Sequence, residues 1–445
     1  MTVQSTITRS GEDLQAAFQN PKYRPYGLNN FRQIPQINRL TNEQIFNLEV
    51  VARVLPFRTN NYVIDELIDW NNIPNDPLYI LNFLQKDMLK KHHYDRVAAL
   101  MESGADEDLI AQVANQIREE LDPHPAGQLT KNRPTLKGNL LPGVQHKYRE
   151  TMLFFPTQGQ TCHAYCTFCF RWPQFIGIKD YKFAMSEIKP VIKYIRKHPD
   201  ITDILFTGGD PLFMKTKILE GYIDALLQAD LPNLRSIRIG SKTLSYWPYR
   251  FLTDNDADAL LALFEKIVSN GIHLAIMAHF NHPRELSTNA VELAISRIRQ
   301  TGAQIRAQSP VLNHINNDPD LWASMWQRQV ELGIIPYYMF IARNTGAQHY
   351  FSIPLEEAWK VFGKAYQQVS GLARTVRGPV MSCNPGKVQV LGISEIMNEK
   401  VFVLRALQHR NPKHVMKPFY AKYAPQAIWF NQLKPAFGEE KFFFD

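Results

Sequence analysis

Cysteine is scarce, with four residues in a chain of 445. So few cannot form a disulfide framework, and they point to a reducing compartment, so a cytoplasmic protein is expected. No apolar run approaches the roughly 20 residues that cross a bilayer, so no membrane is expected as a partner. The opening stretch, MTVQSTITRSGEDLQ, lacks the apolar core of a secretory signal. Charge is not lacking, since the formal net value is +8. Its positives are scattered in short clusters such as Lys90-Lys91-His92-His93, which read as solvated surface. No basic stripe interleaved with aromatics is present, so nucleic acid is not an expected partner.

What is present is an apolar fraction of 45%, enough for a sizeable core, in a chain longer than one ordinary domain. Residues 1–40 are polar and read as an arm. From Thr41 to about residue 120 the periodicity is helical: LTNEQIFNLEVVARVL with Thr41 as N-cap, DPLYILNFLQKDML with Pro77 in its first turn, and ADEDLIAQVANQIREEL. A Pro- and Gly-rich stretch, 122–143, reads as a linker closing an N-terminal region, 1–143. Six β-prone runs then alternate with amphipathic segments, at 151–157, 203–209, 236–242, 273–280, 304–312 and 334–342. Repeated βα units predict an α/β fold with a parallel sheet, either doubly wound or a partial (β/α)6 barrel over 144–375. Each run ends in chemically unusual residues, such as Gly208-Gly209-Asp210, Gly240-Ser241-Lys242 and His279-Phe280-Asn281-His282. Barrel enzymes build their sites on those loops, which favours the barrel. Residues 376–445 form a C-terminal extension with two further β-like runs, KVQVLGI and KVFVLRAL.

Three of the four cysteines, Cys162, Cys166 and Cys169, fall within TCHAYCTFC, residues 161–169. Structural zinc usually draws four ligands in two pairs, and no second pair exists here. Cys383 is remote in sequence, and His163 lies within the loop itself. The other reading is a [4Fe–4S] cluster in which three thiolates leave one iron open to a small molecule. The spacing C-x3-C-x2-C, with Phe168 just before the last cysteine, resembles the signature of radical S-adenosylmethionine enzymes. Gly208, Gly209 and Asp210 fit the companion motif that meets the methionine amino group. Ser241, His279 and Gln308, on later strand ends, complete the expected S-adenosylmethionine set.

The resemblance sharpens over residues 40–395. IPNDPL (73–78), LFTGGDPL (205–212), IRIGSK (237–242), HFNHPREL (279–286), QSPVLNHINND (308–318), and PYY with GAQHY (336–350) resemble the lysine 2,3-aminomutase family in order and spacing. That resemblance implies a partial barrel, the cluster, S-adenosylmethionine as a reusable radical source, pyridoxal phosphate, an electron donor of flavodoxin or ferredoxin type, and a homodimer or homotetramer. The implied reaction moves the α-amino group of an L-amino acid to the β-carbon, through a 5′-deoxyadenosyl radical and a pyridoxal phosphate imine. Lys387, in CNPGK, matches the lysine that carries pyridoxal phosphate, although an ordinary β-turn lysine is the alternative. Lys147, Tyr148 and Arg149, in QHKYRE, match the stretch that holds the cofactor phosphate. Arg171 matches the arginine that pairs with the substrate carboxylate, with a surface arginine as the alternative.

Lysine-acting members hold the substrate's distal ammonium with two aspartates. At those places this chain has Arg343 and Asn384, and no carboxylate. A buried ammonium without counter-charge is costly, so an acidic or neutral side chain is expected instead, contacted by Arg343 and Asn384. Two other readings stand beside the aminomutase. One is a radical enzyme of the same scaffold without pyridoxal phosphate, performing epimerisation, dehydrogenation or protein-lysine modification. The other is a non-catalytic cluster-binding sensor or scaffold.

Overall fold

The computed structural model describes residues 21–178 and 181–444, so the first half of the polar N-terminal arm lies outside the described residues. Thr41 caps helix α1 (Asn42–Ala52) as its sequence suggests. Its hydroxyl accepts from the Gln44 N–H at 3.1 Å, and the Gln44 side-chain oxygen accepts from the Thr41 N–H at 2.8 Å, a reciprocal capping box. The second expected helix is shorter than its periodicity implies. Helix α2 covers only Pro77–Asn82, followed by a single turn at Lys86–Met88. Phe83 leaves helical geometry and buries its ring completely, while the Asn82 side chain donates to the Leu78 carbonyl at 2.9 Å. Helix α3 (Lys91–Glu102) was not singled out in the sequence, and its basic start hides a buried face of His93, Tyr94, Val97 and Ala98. Helix α4 (Glu107–Glu120) is capped by Asp106.

One mixed sheet of eleven strands forms the body of the chain. Its strands are β1 (Val144–Tyr148), β2 (Thr151–Phe154), β3 (Asp203–Phe206), β4 (Ser236–Ser241), β5 (His273–His279), β6 (Gln304–Val311), β7 (Ile335–Ile341), β8 (Arg377–Ser382), β9 (Gly386–Ile396), β10 (Glu399–His409) and β11 (Pro418–Lys422). Strands β2 to β8 are parallel, and β1 and β9 to β11 extend the sheet antiparallel at its two sides. Spatial order follows chain order throughout. A doubly wound sheet reverses its order at the middle, so that alternative is excluded.

All six expected strands are present, and a seventh parallel strand, β8, joins them. Its sequence, RGPVMS, was passed over because proline cannot donate to a ladder and glycine weakens a strand. Helices α5 (Lys189–Lys197), α6 (Thr216–Leu227), α7 (Ala257–Ser269), α8 (Asn289–Gln300), α9 (Pro319–Glu331) and α10 (Leu355–Gln367) make the crossovers. Each turns its apolar stripe inward, as α5 does with Val191, Ile192, Tyr194 and Ile195. Strand β4 alternates: Ile237 and Ile239 are fully buried, while Arg238 and Gly240 are turned to a central cavity.

The sheet's two sides meet. The Lys147 ammonium of β1 donates to the Cys383 carbonyl just after β8, and the Lys387 Nζ of β9 lies 4.8 Å from the Tyr148 ring centre. The N-terminal helices share one continuous apolar core with the sheet, from Tyr26 to Leu433. No helix among the described residues is long and apolar enough to cross a membrane.

Asp76 is one tie between the N-terminal layer and the sheet. Fully buried, it caps α2 through the Leu78 and Tyr79 N–H groups at 3.0 and 2.9 Å and pairs with Arg284, after β5, at 2.5 Å. Removing one partner of a buried pair leaves the other charge uncompensated. Asp76→Ala is expected to lower the unfolding free energy in chemical denaturation by about 3 kcal/mol, and a loss below about 1 kcal/mol would contradict this role.

Candidate active site

The cysteine loop hangs beyond the end of β2 and is held from the N-terminal side. The Tyr165 N–H donates to the Arg58 carbonyl at 2.8 Å, and the Thr167 N–H to the Leu81 carbonyl at 3.0 Å. The Thr167 hydroxyl reaches the Ile80 carbonyl at 2.7 Å, while Tyr23 and Asn60 both donate to the His163 carbonyl. This clamp, made by Tyr23, Arg58, Asn60 and α2, was not read from the sequence, because its contacts run through backbone atoms more than eighty residues away.

The loop leans on the Gly208-Gly209-Asp210 turn after β3. The Asp210 N–H donates to the Thr161 carbonyl at 2.7 Å. A β-carbon on Gly209 would overlap the Thr161 backbone, and one on Gly208, at φ +139°, would strike the Gln160 side chain. The buried Asp210 carboxylate accepts from the Ser241 hydroxyl at 2.9 Å, the Lys242 N–H at 2.8 Å and the Leu212 N–H at 3.0 Å. Asp210 thus ties three loops together, its N–H holding the cysteine loop and its carboxylate its own turn and the loop after β4. Burial pushes its carboxyl above the usual carboxylate range against the pull of those donors.

Cys162, Cys166 and Cys169 all line one cavity of about 300 Å³, together with Phe168, Gly208, Gly209, Asp210, Ser241, His279 and Gln308. The structure therefore brings together every residue of the expected S-adenosylmethionine set. A single zinc ion would draw three thiols to about 3.8 Å from one another. Among the described residues the one His/Cys/Asp/Glu trio with ligand atoms all within 4.8 Å is His92, His93 and Glu120, far along the chain on α3 and α4. His163 is engaged elsewhere: it is buried, bonded to the Thr243 hydroxyl at 3.2 Å and edged by Tyr23 and Phe213. Cys383 donates to the Gly386 carbonyl, with Lys147 and Arg343 as its charged neighbours. Burial pushes the Cys169 thiol up to about 12, so without a metal these sulfurs stay protonated.

The same cavity is lined by Lys147, Tyr148, Arg171, Arg343 and Lys387, with Arg171 close enough to Cys169 to act on its thiol. Lys147 and Tyr148 are consecutive, yet both line the cavity, because the β1–β2 register shifts between His146 and Tyr148. Arg149 lies beyond the strand, exposed and paired with Glu150, so it is not at the site. Asn384 is likewise exposed in the β8–β9 turn, where its carbonyl accepts from Arg410 at 3.0 Å. Ser382 and Gln408 line the cavity instead; in sequence Ser382 is only the neighbour of the expected contact, and nothing there points to Gln408.

Six cations but only one carboxylate, Asp210, line the cavity. Arg238 pairs with Asp203, and Lys242 pairs with the buried Glu285. Lys147, Arg171, Arg343 and Lys387 form no ion pair with a carboxylate among the described residues. Burial and the nearby Arg238, Lys147, Arg377 and Arg343 hold the Lys387 amine well below its ordinary value. Burial, with Arg343 next, lowers Lys147 to about 7. The Tyr148 hydroxyl, Arg171 Nη1 and Arg343 Nε are buried polar atoms without a protein partner. Arg171 and Arg343 both lie against the Phe170 ring, at 5.1 and 5.0 Å. Such a set of cations suits anionic groups, beside an amine whose protonation burial disfavours.

Gly209→Ala must displace the Thr161 backbone. It is expected to lose most of the iron that wild-type protein takes up on anaerobic reconstitution, measured by iron analysis, and full iron loading would contradict the close approach.

No protein-family model matches the chain. It is 33% identical to a protein of Aquifex aeolicus (strain VF5) provisionally named L-lysine 2,3-aminomutase, over 91% of this chain and 95% of that one. It is 28% identical to the glutamate 2,3-aminomutase of Clostridioides difficile (strain 630), over 58% of this chain and 55% of that one. Among solved structures, a radical S-adenosylmethionine methyltransferase from Sphaerobacter thermophilus aligns over 45% of this chain and 58% of its own, at TM-score 0.32 and 11% identity. Near-full-length similarity to the first of these, with the motifs quoted above, leads to one assignment: the chain belongs to the lysine 2,3-aminomutase family of radical S-adenosylmethionine enzymes.

Proposed function

We propose that this chain is an amino-acid 2,3-aminomutase acting on an L-amino acid with an acidic or amide side chain. The observation that carries the reading is the buried Lys387 amine, held well below its ordinary value, in a cavity it shares with Lys147, Arg171 and Arg343, none of which forms an ion pair with a carboxylate among the described residues. We also read the sheet as a partial (β/α) barrel. Strand order without reversal supports this, as does the contact of β1 with the β8–β9 turn.

The residues present fit the family's cofactors. Three thiols at cluster spacing and two glycines that admit close backbone approach suit the [4Fe–4S] cluster and S-adenosylmethionine. Lys387 would carry pyridoxal phosphate, with Lys147 and the unpartnered Tyr148 hydroxyl offered to its phosphate. When bound, these groups supply a carbon-centred radical and an electron sink for the migrating nitrogen. The protein's part is to orient and to exclude water. Arg171 presents a guanidinium to the substrate's α-carboxylate, which suits bidentate pairing. Arg343, beside it, faces the substrate side chain. A distal ammonium there would meet two guanidiniums, with the Asp122 carboxylate already acting on Arg343, whereas a distal carboxylate would relieve them. One relative carries the name glutamate 2,3-aminomutase, so glutamate is the first substrate to test.

Borohydride reduction of enzyme incubated with pyridoxal phosphate is expected to leave a pyridoxyl group on Lys387, read by peptide mass. A Lys387→Ala variant should carry none while still binding iron. No trapping in the wild type would favour the radical enzyme without pyridoxal phosphate.

The charge on Lys147 gives a pH dependence. Its ammonium binds phosphate and its free amine does not, so affinity should be highest below about pH 7 and fall as the pH rises through that value. Spectrophotometric titration checks this, and a Lys147→Met variant should lose most of the slope. A wild-type affinity that is flat across that window would place the phosphate elsewhere.

A further inference from the structure

The stretch 122–143 reads in sequence as a linker, yet it forms part of the cavity wall. Its start is fastened to the loop that carries Arg343: the Thr345 hydroxyl donates to the Asp122 carbonyl at 2.6 Å, and the Gly346 N–H to the Leu121 carbonyl at 3.0 Å. Further on it is fastened to both sides of the sheet. The His146 N–H donates to the Asn132 carbonyl at 2.8 Å, and Arg410 donates to the Asn132 side-chain oxygen at 2.6 Å. The segment therefore fills the seam where β1 approaches the β8–β9 turn.

Between these fastenings lies Gln128. Its residue is 5% exposed, its side chain lines the cavity, and its Nε2 is buried without a partner. Its own backbone carbonyl is already taken by the Gln145 carboxamide, at 3.4 Å. A buried amide donor left unpaired in a folded protein is costly unless a ligand completes it. The same wall carries Lys147 and Arg343, both lacking an ion-pair partner among the described residues. The unpaired Nε2 can only donate, so among these cations its fitting partner is an oxygen that accepts hydrogen bonds.

We propose that Gln128 is a substrate-binding residue whose carboxamide donates to the side-chain oxygen of the amino-acid substrate, acting with Arg343. Residues 122–134 are then the element that sets side-chain preference. The proposal rests on the acidic-substrate reading above and adds a residue that the cofactors do not need.

The test uses anaerobically reconstituted enzyme: wild type, Gln128→Leu and Gln128→Glu. Iron content, the dissociation constant for pyridoxal phosphate, and kcat and KM for L-glutamate are measured for each. Losing a hydrogen bond to a charged group corresponds to about a 10- to 100-fold weakening. The expected result is a rise of that order in KM in both variants, with a smaller change in kcat. Iron content should match wild type, and pyridoxal phosphate affinity should stay within about two-fold. An unchanged KM would overturn the proposal. So would a parallel loss of pyridoxal phosphate affinity, which would assign the donor to the cofactor phosphate. If Gln128→Leu does not fold, Gln128→Glu, close to isosteric with the amide, decides the matter by the same criteria. Wild-type enzyme that turns over neither acidic nor amide amino acids would overturn the functional reading itself. Wild-type turnover with both variants unaffected would overturn this inference alone.

Discussion

The contact between the two sides of the sheet is the constraint on which the site depends. Eleven strands follow one another in chain order, and such a sheet left open would place β1 far from β8 and β9. Instead the Lys147 ammonium reaches the Cys383 carbonyl, 236 residues on, and Lys387 lies over the Tyr148 ring. That contact places the strand ends around one cavity. It also brings the candidate cofactor lysine to the same space as the cysteine loop, which belongs to the opposite side of the parallel array. Arg410 and Asn132 seal the seam behind that contact.

Enclosure explains the electrostatics. Water would screen Lys147, Arg171, Arg343 and Lys387 from each other, but the cavity removes much of that screening. Burial then lowers both lysines and both arginines, each helped by cationic neighbours or opposed by weak counter-charge. A protein that only needed a stable core would fill this space with apolar groups. Mutually repelling cations with unpaired polar atoms are kept where a ligand supplies the missing negative charge. The cysteine thiols show the same logic with opposite sign: buried, they hold protons until a metal replaces them.

Much of this was legible in the sequence, for local reasons. The cysteine spacing, the Gly208-Gly209 approach and the polar residues ending each strand are short-range features, and the cysteines, both glycines, Ser241, His279 and Gln308 line one cavity. The helix cap at Thr41 is equally local. What escaped depends on distant or irregular geometry. Arg149 falls outside because β1 bulges at His146–Tyr148 and ends, so matching by sequence position carried the pattern one residue too far. Asn384 sits on the outer side of a turn whose inner side is Ser382. Strand β8 was hidden by Gly378-Pro379, whose composition argues against a ladder. Residues 122–143 have the composition of a linker, and nothing local reveals that Gln128 and Asn132 face a cavity formed by strands on either side. Arg238 could have been found, since its alternation with Ile237 and Ile239 turns it inward.

The account's central claim is that an anion-seeking cavity selects an acidic or amide amino acid for amino-group migration. The most direct measurement is anaerobic incubation of the reconstituted enzyme with equal amounts of L-glutamate and L-lysine, each isotopically labelled at the α-carbon. Nuclear magnetic resonance then reads where the amino group resides. The account predicts migration to the β-carbon of glutamate and none in lysine. Migration in lysine alone would contradict it.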